Sequence, residues 1–508
     1  ARIRLSNIPA GVDYDLAVYQ AEPTPLRGTP TQSLDSLGDI GYDLDPSDDV
    51  YETDLVGDIP LNVTGERGIP GFTVRDISTK RSQEDEEVGT GPLEAGATYY
   101  IAVSSYLEGL SPNPYGLRVQ LQDAPALPDC AGPRALPGVA AAVEPTIGND
   151  VNTLYITNTQ WLGAELAASP GPGVVTMGDI EAAIAATAGV NGVVPAIVPV
   201  DAYPGVEALY TTWATTGRCD VDARNAIVSA IGGIIDDISA TRDIENIVIV
   251  GGDGVVPQAA VDDLTEFSNE DTFALETIQN NENNEIAAAL GASKLLSDDP
   301  YATAAGIAIR NGDHELFVQE TVIGRLVETG EQILGQLENF VTYGGALDPA
   351  TLGDGTPVPG GTTPGNATAT VTGYDFLSDG AQALAAEFAA SGIVDTSLIS
   401  ETWDDVALLE LLDGADNTFL SVNAHYDFES LLPAAFDGTP FTADDLVTTE
   451  DFDESTGIGV PNFTAIVTAG CHAGLSMNDV QLGFSTPDWA ETFSRGENNV
   501  FAAHTTYG

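Results

Sequence analysis

The sequence predicts an α/β protein whose mostly parallel sheet is flanked by helices in two subdomains and is preceded by a small all-β domain. From residue 151 onward, short apolar runs rich in β-branched residues alternate with segments of helical period, which favours parallel strands joined by helices. Residues 1–122 instead contain short strand-like runs separated by acidic and Gly/Pro-rich loops. A Pro/Ala/Gly-rich linker is expected over residues 123–150, between the two regions.

The charge of the chain is extreme and is spread along its whole length. Its 508 residues include 77 acidic and 16 basic ones, which gives a formal net charge of −61. In dilute buffer this self-repulsion opposes folding, whereas in molar salt the Debye length falls to roughly 3 Å and the repulsion is screened. We therefore expect a protein from a halophilic organism. Nucleic acid and anionic membranes are excluded as expected partners because basic residues are too few, and no apolar run reaches the roughly 18 residues of a membrane span.

The two α/β subdomains are expected over residues 151–343 and 371–508, with a Gly/Pro/Thr-rich loop at 344–370 between them. In the first, four isoleucines spaced by four, three and four residues mark one face of a helix between about 220 and 241: Ile227, Ile231, Ile234 and Ile238. Its other expected elements are strands at 153–157 and 193–200, a strand and Gly/Asp turn at 247–257, and helices at 177–188 and 330–342. The second subdomain is expected to contain helices at 381–390 and 488–493, and strands at 418–424, 463–469 and 499–503.

Two apolar runs of the second subdomain end in reactive side chains. One run leads to His425, and the other is followed by a turn of small residues that carries Cys471. Adjacent parallel strands that end at the same edge would bring the two side chains together, where open α/β sheets place their active sites. A lone Cys after an apolar run is usually a buried small hydrophobe, and a lone His at a strand end is usually only hydrogen-bonded. The pair favours a Cys/His dyad; His472, next to Cys471, is the alternative partner, although its side chain should point away.

The remaining cysteines and two sequons concern the environment of the protein. Cys130 and Cys219 lie in loop-like sequence, so either they form a disulfide that leaves Cys471 as a thiol, or both are free thiols. Asn62 and Asn366 begin Asn-x-Thr triplets in loop-like contexts and are candidate glycosylation sites, although such triplets are common by chance.

Metal binding is only weakly indicated. Asp45, Asp48 and Asp49 lie close together in the sequence and could bind calcium, but a solvated acidic loop of a halophilic protein is the preferred interpretation. No strict EF-hand loop is present. We expect no required cofactor, with calcium as a candidate ligand.

Four stretches in the same order give the α/β region a resemblance to the gingipain-type cysteine peptidases, which are relatives of caspases. The first three stretches are Ile249–Pro257, with its "Gly-Asp…Pro" turn, Ser297–Tyr301 and Val322–Thr329. The fourth is the pair of strand ends that lead to His425 and Cys471. The resemblance implies a caspase-like fold in two linked subdomains, a His425/Cys471 dyad, and Asp298 in the pocket for the substrate residue before the scissile bond. The chain departs from the family in carrying Tyr426 where Gly usually follows the His, and in its long 258–296 loop.

The N-terminal region has a resemblance of its own. The stretches Asn7–Leu16 and Thr98–Val103 resemble the small β-sandwich of the bacterial and archaeal pre-peptidase C-terminal type. In such a domain another strand should precede residue 1, so we expect the β-sandwich at 1–122 to be incomplete at its N-terminal end.

These observations predict a secreted or cell-surface cysteine endopeptidase that acts on protein or peptide substrates. Cys471 would be the nucleophile and His425 the general acid and base. Backbone N–H groups of Gly470 and Cys471, with one near Tyr426, would hold the oxyanion. The alternative is a non-catalytic surface protein, adhesive or filament-forming, that retains a peptidase-like fold; homo-oligomers or a surface assembly would suit either function.

Overall fold

The computed structural model describes most of the α/β region and the strands of the N-terminal region. The described residues are 2–6, 8–9, 14–21, 72–78, 86–89, 98–105, 114–121, 136–137, 142–168, 174–263, 269–276, 285–303, 306–309, 314–347, 367–413, 417–435, 446–452, 457–477 and 487–506. The predicted calcium ligands Asp45, Asp48 and Asp49, the sequons at Asn62 and Asn366, and Cys130 lie outside them. The chain divides into two compact units, one of residues 1–128, 263–280 and 291–293, and the other of the rest.

The first unit contains two three-stranded antiparallel sheets, of order β4-β1-β6 and β3-β2-β5. Alternate residues of β1 and β2 point into one apolar cluster, as the two-residue period of a strand requires; this cluster includes Ile3, Leu5, Leu16 and Val18. The strands are β1 (Arg2–Ser6), β2 (Tyr14–Ala21), β3 (Phe72–Ser78), β4 (Glu86–Gly89), β5 (Tyr99–Ser105) and β6 (Gly116–Gln120). Helix Glu270–Glu276 is grouped with this unit.

The second unit begins with a four-stranded parallel sheet of order β14-β9-β7-β8. Every residue of its central strand β7 is buried, because helices cover both faces of the sheet. The strands are β7 (Thr153–Thr157), β8 (Pro195–Pro199), β9 (Asn246–Val250) and β14 (Val322–Leu326), with two antiparallel pairs formed by β10 (Ala259–Asp262) with β11 (Lys294–Ser297) and β12 (Ile307–Ile309) with β13 (His314–Leu316).

The helices predicted in the α/β region are present, whereas four further helices in the described part of the second unit were not predicted: Thr159–Ala168, Pro204–Thr215, Glu285–Leu290 and Asp405–Leu412. The long helix runs from Val221 to Ser239, and the Asp220 side chain accepts from the Ala223 N–H at its N-terminus. Its buried stripe contains Ile235 where the sequence predicted Ile234, which is only partly buried. The described α-helices of the second unit are Thr159–Ala168, Met177–Ala186, Pro204–Thr215, Val221–Ser239, Glu285–Leu290, Gly330–Thr342, Ser378–Ala390, Asp405–Leu412 and Trp489–Ser494.

A second parallel sheet has five strands in the order β16-β15-β17-β21-β22. Two of them, β15 and β16, were not predicted, and β15 begins inside the expected 344–370 loop. The other three are shorter than predicted, because backbone pairing stops before the apolar runs end. The strands are β15 (Thr368–Gly373), β16 (Val394–Ile399), β17 (Phe419–Ser421), β21 (Ala465–Val467) and β22 (Val500–Ala502), with a small antiparallel sheet of β18 (His425–Tyr426), β19 (Ser430–Leu432) and β20 (Val447–Thr448).

The predicted α/β class, with parallel sheets flanked by helices, is confirmed. Long-range hydrogen bonds join the part of the second unit that carries the four-stranded sheet to the part that carries the five-stranded sheet. Gln332 Nε2 donates to Glu491 Oε1 at 2.6 Å, and the Tyr343 hydroxyl donates to Glu497 Oε2 at 2.8 Å. Within the described ranges, no helix is long and apolar enough to cross a membrane, and no cluster of three or more His, Cys, Asp or Glu side chains could hold a metal ion.

Candidate active site at the carboxyl edge of the five-stranded sheet

His425 and Cys471 both follow strands that end at the carboxyl edge of the five-stranded sheet. Strands β17 and β21 are neighbours and parallel, with Phe419 opposite Ala465 and Leu420 opposite Ile466. His425 follows the end of β17 by four residues, and Cys471 follows the end of β21 by four. Parallel neighbours end on the same side, so the predicted juxtaposition of the two strand ends agrees with this topology.

Beyond the last paired residues of β17 and β21, hydrogen bonds of side chains connect the two segments in place of backbone-to-backbone hydrogen bonds. Thr468 Oγ1 donates to the Val422 carbonyl at 2.5 Å, and the Ala469 N–H donates to Asn423 Oδ1 at 3.1 Å. Asn423 also reaches the next strand, because its Nδ2 donates to the Thr372 carbonyl at 3.0 Å. These bonds hold the ends of β15, β17 and β21 together beyond the last paired residues.

His425 lies beside a carboxylate that the sequence analysis did not identify. Its Nε2 is 3.8 Å from Asp375 Oδ2, and the two side chains are 40% and 52% exposed. Asp375 lies two residues after the end of β15, at the point where the strand order reverses between β15 and β17. In open α/β sheets this is the usual place for a ligand crevice. Sequence reasoning missed Asp375 because β15 itself was hidden in a Gly/Pro/Thr-rich segment.

Asp375 is held in an uncommon backbone conformation. Its φ is +52°, in the left-handed region that few residues other than Gly adopt and that Asp tolerates better than most. Its N–H donates to Glu401 Oε1 at 2.8 Å. Tyr374, next to it, packs edge-to-face on His425 at 5.6 Å between ring centroids, and burial raises the pKa of this tyrosine well above its usual value. A non-Gly residue with positive φ beside an exposed imidazole is a feature typical of functional sites.

The turn that carries Cys471 is packed closely on its surroundings. Cys471 is half-buried and is not in a disulfide, whereas Cys219 is disulfide-bonded. The backbone of Gly470 lies against the Tyr426 ring. His472 is 1% exposed, with φ at +55°, and its N–H donates to the Thr506 carbonyl at 2.8 Å. His472 is therefore enclosed under the turn and His425 is the more accessible histidine.

One of the three expected oxyanion donors already has a partner. The Gly470 N–H donates to Thr468 Oγ1 at 2.9 Å, so it is engaged within the turn.

Asp298 is engaged in a manner that the sequence analysis did not foresee. Its two carboxylate oxygens accept from Arg325, at 2.9 Å from Nε and 2.6 Å from Nη2. Both side chains are largely enclosed, at 18% exposed for Asp298 and 11% for Arg325. Asp298 directly precedes the turn Asp299–Tyr301, and its side chain makes no capping hydrogen bond there. A substrate cation would have to compete with Arg325 for this carboxylate.

Arg325 belongs to a group of buried arginines around residues 251–258, the loop after β9. Its Nη1 donates to the carbonyls of Gly251 and Val256, at 2.8 and 2.9 Å. Arg224 pairs with Asp253 in the same loop and donates from Nε to the Gln258 carbonyl. The "Gly-Asp…Pro" stretch is thus a turn whose backbone carbonyls and carboxylate are held by internal cations.

Comparison with solved structures gives two matches, both to gingipain R. The chain is 13% identical to the Arg specific cysteine proteinase gingipain R (RgpB), with a TM-score of 0.38, over 69% of this chain and 60% of that one. The complex of the Porphyromonas gingivalis RgpB pro- and mature domains matches at 13% identity and a TM-score of 0.38, over 70% of this chain and 64% of that one. The chain therefore spans less than two thirds of either protein. No family model and no curated protein matches the sequence.

Proposed function

We propose that this chain is a cysteine endopeptidase with Cys471 as its nucleophile and His425 as its general acid and base. The observation that carries the proposal is topological. Adjacent parallel strands leave His425 and Cys471 four residues beyond their ends at one edge, next to the point where the strand order reverses. This edge is where open α/β sheets bind their ligands.

The chemistry needs few parts. The imidazole of His425 takes the thiol proton, and the Cys471 thiolate attacks the scissile carbonyl carbon. The resulting oxyanion is held by backbone N–H groups near Cys471, and the leaving amine takes its proton from the His425 imidazolium. Water then attacks the thioester with the same imidazole as base, which releases the carboxylic acid and restores the thiol.

We assign Asp375 the role of orienting His425. Its carboxylate lies 3.8 Å from Nε2, and we assign the proton exchange with Cys471 to Nδ1. Because both side chains are about half exposed, this pair contributes no more than a typical surface ion pair, roughly 0.2–1 kcal/mol. Asp375 therefore supports the position of the imidazole and is not indispensable for catalysis.

We place the peptidase outside the cell or at the cell surface of a halophilic organism, with proteins or peptides as substrates. Cys219 is in a disulfide, and disulfides persist in oxidising compartments. Three of the few cationic side chains, Arg218, Arg224 and Arg325, are enclosed in the second unit, each paired with an enclosed carboxylate, so the rest of the chain keeps the net charge of −61. High salt would screen that charge.

A second candidate function has a specific observation in its favour. The bulky Tyr426 lies against Gly470, and the Gly470 N–H is engaged by Thr468, so one expected oxyanion donor is unavailable. This arrangement would suit a non-catalytic surface protein, adhesive or filament-forming, that retains the fold of a peptidase.

Active-site labelling separates the two functions. The rate at which a peptidyl electrophile labels Cys471 in molar KCl is divided by its rate with a free thiol, and the same ratio is measured for iodoacetamide. The ratio should be larger for the peptidyl electrophile, and His425→Gln should remove this difference. His504→Gln is the matched control, because His504 is an exposed histidine that follows β22 at the same edge of the sheet. Equal labelling of the wild type and of His425→Gln would favour the non-catalytic function. Cys471→Ser should lose both labelling and peptide cleavage.

A further inference from the structure

The side chain of Thr468 forms hydrogen bonds both to the segment that leads to His425 and to the turn that carries Cys471. It lies three residues before Cys471, at the end of β21, and is only 4% exposed. Its Oγ1 is hydrogen-bonded to the Val422 carbonyl at 2.5 Å and to the Gly470 N–H at 2.9 Å. Val422 lies three residues before His425 in the chain, and Gly470 directly precedes Cys471.

The directions of these bonds follow from the donors available. A threonine hydroxyl has one proton and two lone pairs. The Val422 carbonyl can only accept, so Thr468 donates its single proton to it, and the Gly470 N–H donates to Thr468 Oγ1. One hydroxyl therefore links the segment before His425 to the residue before Cys471.

The backbone of Thr468 adds a third connection. Its N–H donates to the Ala502 carbonyl of β22 at 3.1 Å. The residue is thus fixed to the strand on one side by its backbone and to the His425 segment on the other by its side chain. Pairing between β17 and β21 ends at Leu420 and Ile466, so beyond that point the backbone ladder no longer sets the distance between the two segments.

We propose that Thr468 is a positioning residue, whose hydroxyl sets the separation between the Cys471 turn and the His425 segment; the proposal rests on the cysteine-peptidase function. Removing the hydroxyl releases Val422 and Gly470 from their shared partner. The Cys471 turn can then move relative to His425 although both residues are intact, and a displacement of about 1 Å in such a site can cost on the order of 100-fold in rate.

The test measures the pH dependence of Cys471 alkylation by iodoacetamide in molar KCl, with the labelled residue identified by mass spectrometry. This readout needs no substrate. In the wild type, His425 should sustain alkylation well below the ordinary thiol pKa of about 8.5. Thr468→Val, which keeps the shape and removes the hydroxyl, should reduce this low-pH rate by about ten-fold or more and leave the high-pH rate unchanged. Thr468→Ser should restore the wild-type profile.

Thr464→Val is the matched control. Thr464 is buried just before the opposite end of β21, and its hydroxyl donates to the Asn417 carbonyl at 2.7 Å. Its loss should lower the melting temperature as Thr468→Val does, but should leave the pH profile of Cys471 unchanged. A purely structural role for Thr468 predicts that the two valine variants behave alike, and that result would overturn the proposal.

Two further experimental outcomes distinguish the positioning role from the peptidase proposal. If Thr468→Val does not fold, Thr468→Ala takes its place, because it also removes the hydroxyl; an unchanged low-pH rate in that variant would overturn the positioning role. If the wild type and His425→Gln share one profile, the peptidase proposal itself fails, and the positioning role falls with it. A low-pH rate that depends on His425 but not on Thr468 would refute the positioning role alone.

Discussion

Gly470 and Tyr426 are packed so closely that no side chain could replace the hydrogen of the glycine. A Cβ built on Gly470 would lie 2.6 Å from Tyr426 Cγ and closer still to Cδ2. The tyrosine ring is itself held edge-to-face by Trp489 at 5.5 Å between centroids. The Cys471 turn therefore rests on an aromatic pair, and the size of residue 470 decides whether it can do so.

Gly470→Ala should destabilise the protein by about 1–3 kcal/mol, as is typical of overpacking in a close-packed region. Tyr426→Ala in the same chain should remove the clash, so the two substitutions should be strongly non-additive. Denaturant unfolding in molar KCl measures both. Gly380→Ala is the control, because a Cβ there meets nothing within 4 Å and the residue lies in helix Ser378–Ala390. Additive effects at Gly470 and Tyr426 would contradict the packing argument.

Asp298→Asn should reduce stability by about 3 kcal/mol, because it leaves the enclosed charge of Arg325 without its partner. Arg325→Lys should also destabilise, since a lysine cannot reproduce the two-pronged bond to the carboxylate. The double variant Asp298→Asn/Arg325→Met should recover part of the loss. Unfolding in high salt measures all three. A variant Asp298→Asn that is as stable as the wild type, but loses a preference for basic substrates, would instead support the substrate-pocket role.

The stability of the protein should depend on pH through Asp488. This residue is buried; Oδ2 accepts from the Met477 N–H at 2.6 Å, and Oδ1 accepts from the Glu491 N–H at 2.7 Å. Burial raises the pKa of Asp488 to about 7, with a further rise from the Glu491 charge. An unfolded Asp has a pKa of about 3.9, so between these values the folded state binds more protons and stability falls as pH rises.

Asp488→Asn keeps a capping side chain and removes the titration. Its melting temperature relative to the wild type should therefore increase from pH 4 to pH 7 and then level off. Asp404→Asn is the control for loss of a capping carboxylate, because Asp404 accepts from the Ala407 N–H at the start of helix Asp405–Leu412. A difference between wild type and Asp488→Asn that does not vary over this range would refute the assignment.

Asp375→Asn should slow peptide cleavage by about five-fold at most. A half-exposed pair contributes up to about 1 kcal/mol, and molar salt weakens it further. Asn tolerates the positive φ of this position, so the fold should be unaffected. The ratio kcat/KM, measured at two KCl concentrations, checks both the size and the salt dependence. A loss of several hundred-fold would mean that Asp375 has a direct role in the reaction.

The melting temperature should rise as KCl increases from about 0.1 M to several molar. The Debye length falls from about 10 Å to about 3 Å at 1 M, which screens the repulsion among exposed carboxylates. Sucrose at matched water activity is the control, because it favours compact states without screening charge. A flat or falling series in KCl, or an equal rise in sucrose, would remove the argument for a halophilic protein.

Hydrophobic pattern alone was sufficient for elements whose burial follows a simple period. The helix at Gly330–Thr342 and the strand at Thr153–Thr157 have the bounds that the sequence predicts. Both depend on local spacing, since one face of a helix or both faces of a central strand must be apolar. The strand Thr368–Gly373 was missed because its buried residues include threonines, whose hydroxyls find partners elsewhere: Thr370 bonds to Asn417 and Thr372 to Asn423.

Composition and hydrophobic pattern were sufficient for the α/β class, the extreme charge and the two strand ends that lead to His425 and Cys471. They could not show that Asp375 lies beside His425, that Arg325 pairs with Asp298 or that Thr468 bonds to the Val422 carbonyl, because these contacts depend on the tertiary structure. These contacts join residues from 27 to 50 positions apart, as with Asp298 and Arg325 or Asp375 and His425. A periodic pattern reports which side of an element is buried, whereas the partner of a polar side chain depends on which strands become neighbours, and that is decided by the packing of the whole unit.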